Sequence, residues 1–295
     1  MKCLHPLEIN NPRLKRYLQM GREPPDNEPQ KITVPCGKCS VCRSKHRDEW
    51  FMRIKLESHL HPSNFFVTLT YDDSFLKKNS NGVVSHCYED VQKAFKLFRK
   101  RYCPFRYVLI SEYGPNGTHR PHYHFVFFCD VVGLDEYDVL NMWEDVWPYG
   151  FVTSGELVDG RIGYVANYCI PDLQYVPSGA TDNIFRVSRD PSIGYGFLTE
   201  QLLDRFHRVD RDGNFMQYVV LDGKKFNLPR VWQDSLYCDA DKDKKFFKSQ
   251  KDASEYYEKM LLQFGSDEAF NDYCRLADIL MREKWLQSKK GKLQI

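Results

Sequence analysis

Residues 65–71, FFVTLTY, are a run of aromatic and β-branched side chains closed by Asp72 and Asp73. That composition and that stop predict a strand. RYVLISEY (106–113) and HYHFVFFC (122–129) predict two more, joined through the turn residues GPNGTHRP. Helical spacing governs the stretches between. In YEDVQKAFKLFRKRY (88–102), Val91, Ala94, Phe95, Phe98 and Tyr102 gather on one face, and Glu89 and Asp90 sit at the positive end of the dipole. SKHRDEWFMRIKLESHL (44–60) carries Met52, Leu56 and Leu60 on one stripe with Trp50 and Ile54 opposite, which predicts a helix covered from two directions. A helix over 134–147, a strand at GFVTSGEL and a helix from near Arg161 complete the order β-α-β-β-α-β-α. This order predicts an α+β fold, an antiparallel β-sheet with flanking helices.

The flanks are less patterned. Residues 1–35 are rich in Pro, Asn and charge, residues 171–196 read as loop, and 248–290 have helical spacing suited to packing. Three segments are expected: a Cys-rich N-terminal segment and helix (1–62), the sheet-bearing domain (63–172), and a loop-rich, then helical C-terminal extension (173–295).

Composition changes this picture little. A chain of 295 residues with 15% aromatic residues can bury a sizeable core. No apolar run approaches the ~20 residues that span a bilayer, and MKCLHPLEIN has no apolar signal-peptide core, so no membrane partner is expected. The net charge of +2 hides local basic runs at 96–101, 241–248 and 289–292. Such runs can follow a phosphate backbone, although each alone reads as a solvated helix face.

Candidate chemistry starts at HRPHYHFVFF (119–128). Residues two apart on a strand share a face, so His122 and His124 project together. If Glu112 lies opposite His122 in the hairpin, Ile110 lies opposite His124 and the carboxylate joins both imidazoles. A slip of one residue would send Glu112 to the other face. Two neutral imidazoles and a carboxylate suit a divalent cation with open positions; the competing reading is a hydrogen-bonded core pair. In GRIGYVANYCIP, Tyr164 and Tyr168 are four apart, on one face of a helix. A phenol is a poor nucleophile at neutral pH, but beside a metal-held phosphate it can attack phosphorus. The competing reading there is aromatic packing.

FVTLTY, EYG, HRPHYHFVFF and GYVANY, in that order, resemble the motifs of the HUH endonucleases, and more narrowly the replication initiators of Microviridae, the gokushovirus-like single-stranded DNA phages. The resemblance spans about 34–200 and includes VPCGKCSVCR and SRDPSIGYGFL. It implies an HUH/RRM-like palm and rolling-circle replication in the host bacterial cytoplasm: nicking of origin DNA, a 5′-phosphotyrosine link, a 3′ hydroxyl for the host polymerase, and work beside a host helicase. Carried over, His122, His124 and Glu112 hold Mg²⁺ or Mn²⁺, and Tyr164 and Tyr168 are the paired nucleophiles. Thr68 and Thr70 of the first motif receive no catalytic role. Family members often carry a lysine at the tyrosine motif, whereas Asn167 lies between the tyrosines here. Arg120, Arg161 or Arg189 are candidates to supply that charge, with Lys96 and Lys100 as further DNA contacts.

Cys36, Cys39 and Cys42 have the spacing of a tetrahedral thiolate site for Zn²⁺, completed by Cys3, His5 or His46, with Cys3 favoured. Cys87, Cys103, Cys129, Cys169, Cys238 and Cys274 are expected to be small buried hydrophobes. A non-catalytic, zinc-containing nucleic-acid-binding protein and an unrelated His-x-His/Glu metalloenzyme remain open, and neither needs the tyrosine pair.

Overall fold

A computed structural model describes residues 3–114, 119–170, 175–210 and 214–290. The middle of the turn at 115–118, Pro171 and the basic side chains at 289–292 lie outside it. In chain order the elements of the first part are β1 (Leu7–Asn10), α1 (Pro12–Gln19), β2 (Lys31–Val34), α2 (Ser40–Ser58), β3 (Ser63–Tyr71), α3 (Tyr88–Arg101), β4 (Phe105–Tyr113) and β5 (Pro121–Cys129). They are followed by α4 (Glu136–Glu144), β6 (Gly150–Glu156), α5 (Asp159–Tyr168), β7 (Phe185–Val187), α6 (Glu200–His207), β8 (Tyr218–Leu221), β9 (Lys224–Asn227), α7 (Arg230–Leu236), α8 (Asp239–Phe264) and α9 (Asp267–Lys290). The α+β expectation holds. The central sheet is five-stranded and antiparallel, in the order β6-β3-β5-β4-β7.

Strict alternation builds both faces of this sheet. Phe65, Val67, Leu69 and Tyr71 of β3 point to one side with Tyr123, Phe125 and Phe127 of β5. Against them pack Val91, Ala94, Phe95 and Phe98 of α3 and Val139 and Trp143 of α4. Trp143 stacks on Phe98 at 4.2 Å, and each such fully buried ring contributes about 3 kcal/mol. On the other side, Val108, Ile110, Val126 and Phe128 lie under Trp50 and Ile54 of α2 and Ile162, Val165 and Ala166 of α5. The helix at 44–60 is indeed covered twice: Met52, Ile54 and Leu56 are all fully buried. Leu60 falls beyond its end and is exposed.

Grouped by contacts, the chain forms two compact units, Met1–Lys45 with Ser235–Ile295, and His46–Asp234. This division differs from the three linear segments. In the first unit, α8 and α9 make a helical hairpin about Gly265, whose φ of +80° is the left-handed stop that glycine tolerates. Tyr256, Met260 and Phe264 of the hairpin meet Phe270, Cys274, Ala277 and Met281, and Leu4, Cys39 and Val41 pack on them. The helical tail therefore has the packing role its spacing suggested. Asp278 caps α2, accepting from the Ser40 amide at 2.7 Å.

Two expectations need correction. The stretch at 171–196 is not all loop: Phe185 and Val187 pair with Ile110 and Val108 as a short edge strand. Three residues carry no readable periodicity, and Ser111 and Ser188 fix the strand through side-chain bonds to the Ile184 and Tyr107 amides. Among the scattered cysteines, Cys103, Cys129, Cys169 and Cys274 are buried, but Cys87 is half-buried and Cys238 exposed. Both immediately precede a helix, α3 and α8, and so sit at the rim of a packed layer and not beneath it.

Glu57, 1% exposed, anchors α2 to the sheet unit through Arg106, His61 and the Gly194 amide. Burial raises its pKa, but these partners reverse that and hold it below the usual carboxylate value. His61, between Glu57 and Asp130, is raised by the Glu57 bond first. The carboxylate's contribution is present above its unfolded pKa of about 4.3 and is lost as pH falls through the depressed folded value. The imidazolium's is present below about 6.5 and is lost as pH rises through the elevated folded value. Denaturant titrations should therefore find this network strongest between about pH 5 and 6.5, with Glu57→Ala costing roughly 3–5 kcal/mol there. A flat wild-type-minus-variant difference from pH 3 to 8 would contradict this account.

Candidate active site and cysteine cluster

Three strands set the rows of the site. β4 and β5 pair with Glu112 opposite His122 and Ile110 opposite His124. β3 and β5 pair with Thr70 opposite His122 and Thr68 opposite His124. Directly paired residues share a face, so Thr70, His122 and Glu112 form one row and Thr68, His124 and Ile110 the next. These rows lie at the end of the α2/α5 face where its apolar cover stops: His124 and Glu112 are 11% and 16% exposed.

α5 lies over the rows. It buries Ile162, Val165 and Ala166 and brings Tyr164 and Tyr168 to the polar end, their rings 4.6 Å apart. The Tyr164 hydroxyl donates to Glu112 Oε1 at 2.8 Å, and His124 Nε2 lies 2.9 Å from the same oxygen. Tyr168 also hydrogen-bonds to this carboxylate. Phe66 stacks on His124 at 5.6 Å and meets Tyr164 edge-on at 6.0 Å, fixing both rings. The structure thus brings His122, His124, Glu112, Tyr164 and Tyr168 together.

Charge at this end is strongly biased. Burial pushes the Glu112 pKa up, but His124 and the two phenols outweigh it and hold it at about 2. Burial first, then the charge of His124, lowers His122 and favours its neutral imidazole, the metal-ligating form. Burial and the adjacent Glu112 charge raise both tyrosines above the ordinary phenol, so both are protonated at neutral pH.

Sequence reasoning passed over Thr68 and Thr70. Thr68 Oγ1 lies 2.8 Å from His124 Nδ1, and Thr70 Oγ1 lies 3.0 Å from His122 Nδ1. The signal was available: the two-residue period of TLT matches that of HYH on the neighbouring strand. The donor set suits Mg²⁺ or Mn²⁺, because an anchored Nδ1 leaves Nε2 of each histidine for a metal beside a carboxylate. Here Glu112 is engaged with His124 and Tyr164, so loading an ion would exchange those bonds.

The basic candidates separate. Arg120 shares the parity of His122 and His124 and lies close enough to lower the His122 pKa; it also bonds to Asp73 and the Tyr71 carbonyl. Arg161, one turn before Tyr164, lies over Phe66 and occupies the space above Gly155, where a Cβ would collide with its guanidinium. Arg189 is exposed and follows Ser188, which bonds Tyr107; that end of β4 is about 17 Å along the strand from Glu112. Lys96 and Lys100 are on α3, which covers the opposite face of the sheet. The structure does not bring these last three to the site.

In the other unit, Cys3, Cys36, Cys39 and Cys42 hold their sulfurs within 4.8 Å of one another, the one such donor group among the described residues. The Cys3–Cys36 and Cys3–Cys39 separations of 3.5 and 3.9 Å bracket the roughly 3.8 Å edge of a zinc–thiolate tetrahedron. Backbone amides of Lys38 and Cys39 donate to Cys36 Sγ, and that of Cys36 donates to Cys3 Sγ. Burial raises the Cys39 thiol, but the Cys42 and Leu4 amides and neighbouring thiols bring it down to about 7. The cluster could bind a metal such as zinc. His5 instead faces Asp278, and His46 bonds the Cys169 carbonyl, which leaves Cys3 as the fourth ligand.

Fold and site define a phage-type replication protein: residues 64–172, from β3 to just past α5, match the family model for the replication-associated protein ORF2 group. The chain is related along most of its length to replication-associated protein ORF2 of Spiroplasma virus 4, 28% identical over 83% of this chain and 86% of that protein. Replication-associated protein VP4 of Bdellovibrio phage phiMH2K is 28% identical over 69% of this chain and 67% of its own. Replication-associated protein ORF4 of Chlamydia phage 1 is 26% identical over 84% of this chain but only 64% of its own length. The resemblance read from the motifs is therefore borne out. No solved structure is significantly similar.

Elemental analysis should find one zinc per chain, lost in Cys39→Ser. Chelation should lower the melting temperature and open the α8–α9 hairpin to protease, since structural zinc is worth about 10 kcal/mol or more in small domains. A zinc-free protein with unchanged melting would remove the site.

Proposed function

We propose that the protein initiates rolling-circle replication by nicking and rejoining a specific site in origin DNA through a 5′-phosphotyrosine. One observation carries this reading: Tyr164 and His124 converge on a single Glu112 oxygen at a partly open end of the sheet. A core tyrosine pair has no need of a carboxylate held near pKa 2.

His122, His124 and Glu112 would hold the metal. A bound Mg²⁺ or Mn²⁺ supplies Lewis-acid polarisation of the scissile phosphate. The chain's own residues do the rest. Phe66 and the helical register of α5 orient the phenols. The attacking tyrosine forms an O–P bond as the P–O3′ bond breaks. Its proton passes along the hydrogen bond towards Glu112 and solvent, and the departing 3′ oxygen takes one up. The phosphodiester energy is kept in the tyrosine ester, so a later 3′ hydroxyl can reverse the step. The second phenol permits a second transfer without external energy. Arg120 and Arg161 flank the rows and would meet the DNA backbone, as phosphate contacts that position rather than specify.

Single-stranded origin DNA is the substrate, with host helicase and polymerase as working partners in the host cytoplasm. No helix among the described residues is long and apolar enough to cross a membrane.

Labelled origin DNA with Mn²⁺, run on a denaturing gel, should yield a covalent adduct that is absent in the Tyr164→Phe/Tyr168→Phe double variant. An adduct persisting there would overturn the assignment. His122→Ala/His124→Ala should lower cleavage by at least about 10²-fold yet leave most DNA affinity, which phosphate contacts supply. Equal loss of both would mark the histidines as structural. Mn²⁺ should support faster cleavage than Mg²⁺, because imidazole suits it better.

A further inference from the structure

We infer that Thr68 and Thr70 are positioning residues whose hydroxyls let the two histidines exchange tautomer between a metal-free and a metal-bound site without moving. The inference rests on the metal reading above and concerns this chain's own side chains.

The geometry is specific. Each hydroxyl faces Nδ1 of the imidazole directly across the β3–β5 ladder, at 2.8 Å for Thr68 and His124 and 3.0 Å for Thr70 and His122. Backbone register therefore sets both contacts. His124 Nε2 meets an ionised carboxylate here, so this nitrogen carries the proton and Nδ1 presents its lone pair to Thr68. Binding a cation at Nε2 requires the opposite arrangement: a lone pair on Nε2 and the proton on Nδ1. One proton leaves Nε2 for solvent and one arrives at Nδ1, so the ring stays neutral throughout.

The partner of Nδ1 must then donate in one state and accept in the other. A carboxylate or backbone carbonyl, the usual partner of a metal-bound histidine, can only accept. A hydroxyl does both by rotating its hydrogen. Threonine meets that requirement at a strand position where its branched side chain also fits the sheet. Glu112 can thus hold His124 in the empty site and release it to the ion, while the imidazole plane, stacked on Phe66, stays where it is.

The test uses the full zinc-loaded chain and four variants: Thr68→Val/Thr70→Val, Thr68→Ser/Thr70→Ser, Thr68→Asp, and His122→Ala/His124→Ala as the site-null control. Mn²⁺ affinity is read by paramagnetic resonance of the free ion, and histidine tautomers by long-range ¹H–¹⁵N correlation, with and without Mg²⁺. Valine, near in shape to threonine, should weaken Mn²⁺ at least about 10-fold, and serine should restore it. In the wild type the His124 proton should move from Nε2 to Nδ1 on adding Mg²⁺; in Thr68→Asp it should already lie on Nδ1 without metal. Valine variants that bind as tightly as wild type, or serine variants as weak as valine, would overturn the proposal while leaving the metal reading intact. A wild-type titration indistinguishable from the His122→Ala/His124→Ala control would instead sink the metal reading, and this proposal with it. Unchanged melting of the variants guards against a folding defect.

Discussion

The site depends on the ladder register of β3, β5 and β4. In that register Thr70, His122 and Glu112 fall in one row and Thr68 and His124 in the next. Side chains alternate at period two, so a one-residue slip of any strand would turn its contribution to the opposite face. The slip is opposed by the aromatic core on that opposite face, where Phe65, Val67, Phe125 and Phe127 would have to exchange places with polar residues. The chemistry is thus held in place by apolar packing on the side of the sheet it never touches.

The face bearing the site changes character along its strands. At one end Val108, Ile110, Val126 and Phe128 are sealed beneath α2 and α5. At the other the same strands present hydroxyl, imidazole and carboxylate, and α5 continues over them with its two phenols. One helix therefore serves as core and as reactive edge. Its buried residues fix its height and rotation, which brings Tyr164 within hydrogen-bond reach of Glu112 without any loop intervening. Positions on regular elements are held more tightly than positions on loops, and a tyrosine that must meet a phosphorus in line benefits from that rigidity.

Much of this was legible in the residues because period-two and period-3.6 patterns announce which side of an element is dry. The strands at 65–71, 106–113 and 122–129, the helix at 88–102 and the spacing of Tyr164 and Tyr168 all follow from such patterns. Even the pairing of Glu112 with His122 follows from a short turn between two strands of equal parity. What could not be read is whatever lies between strands distant in sequence. Thr68 and Thr70 look like ordinary strand formers until β3 is set beside β5, and β7 is too short to show a period at all. The grouping of residues 1–45 with 235–295 is likewise invisible in a linear scan, because the apolar stripes of α8 and α9 do not say what they cover.

That grouping has a consequence for biosynthesis. The cysteine-bearing half of the first unit leaves the ribosome some two hundred residues before the helices it packs against. The intervening sheet, made of strands close in sequence and their crossing helices, can collapse while translation continues, as domains do when they emerge in order. Leu4, Cys39 and Val41 must wait as an unburied flap for Phe270 and Cys274 to be made. A ribosome stalled after residue 234 would display a finished histidine–tyrosine centre on a chain whose first forty-five residues still have nothing to close upon.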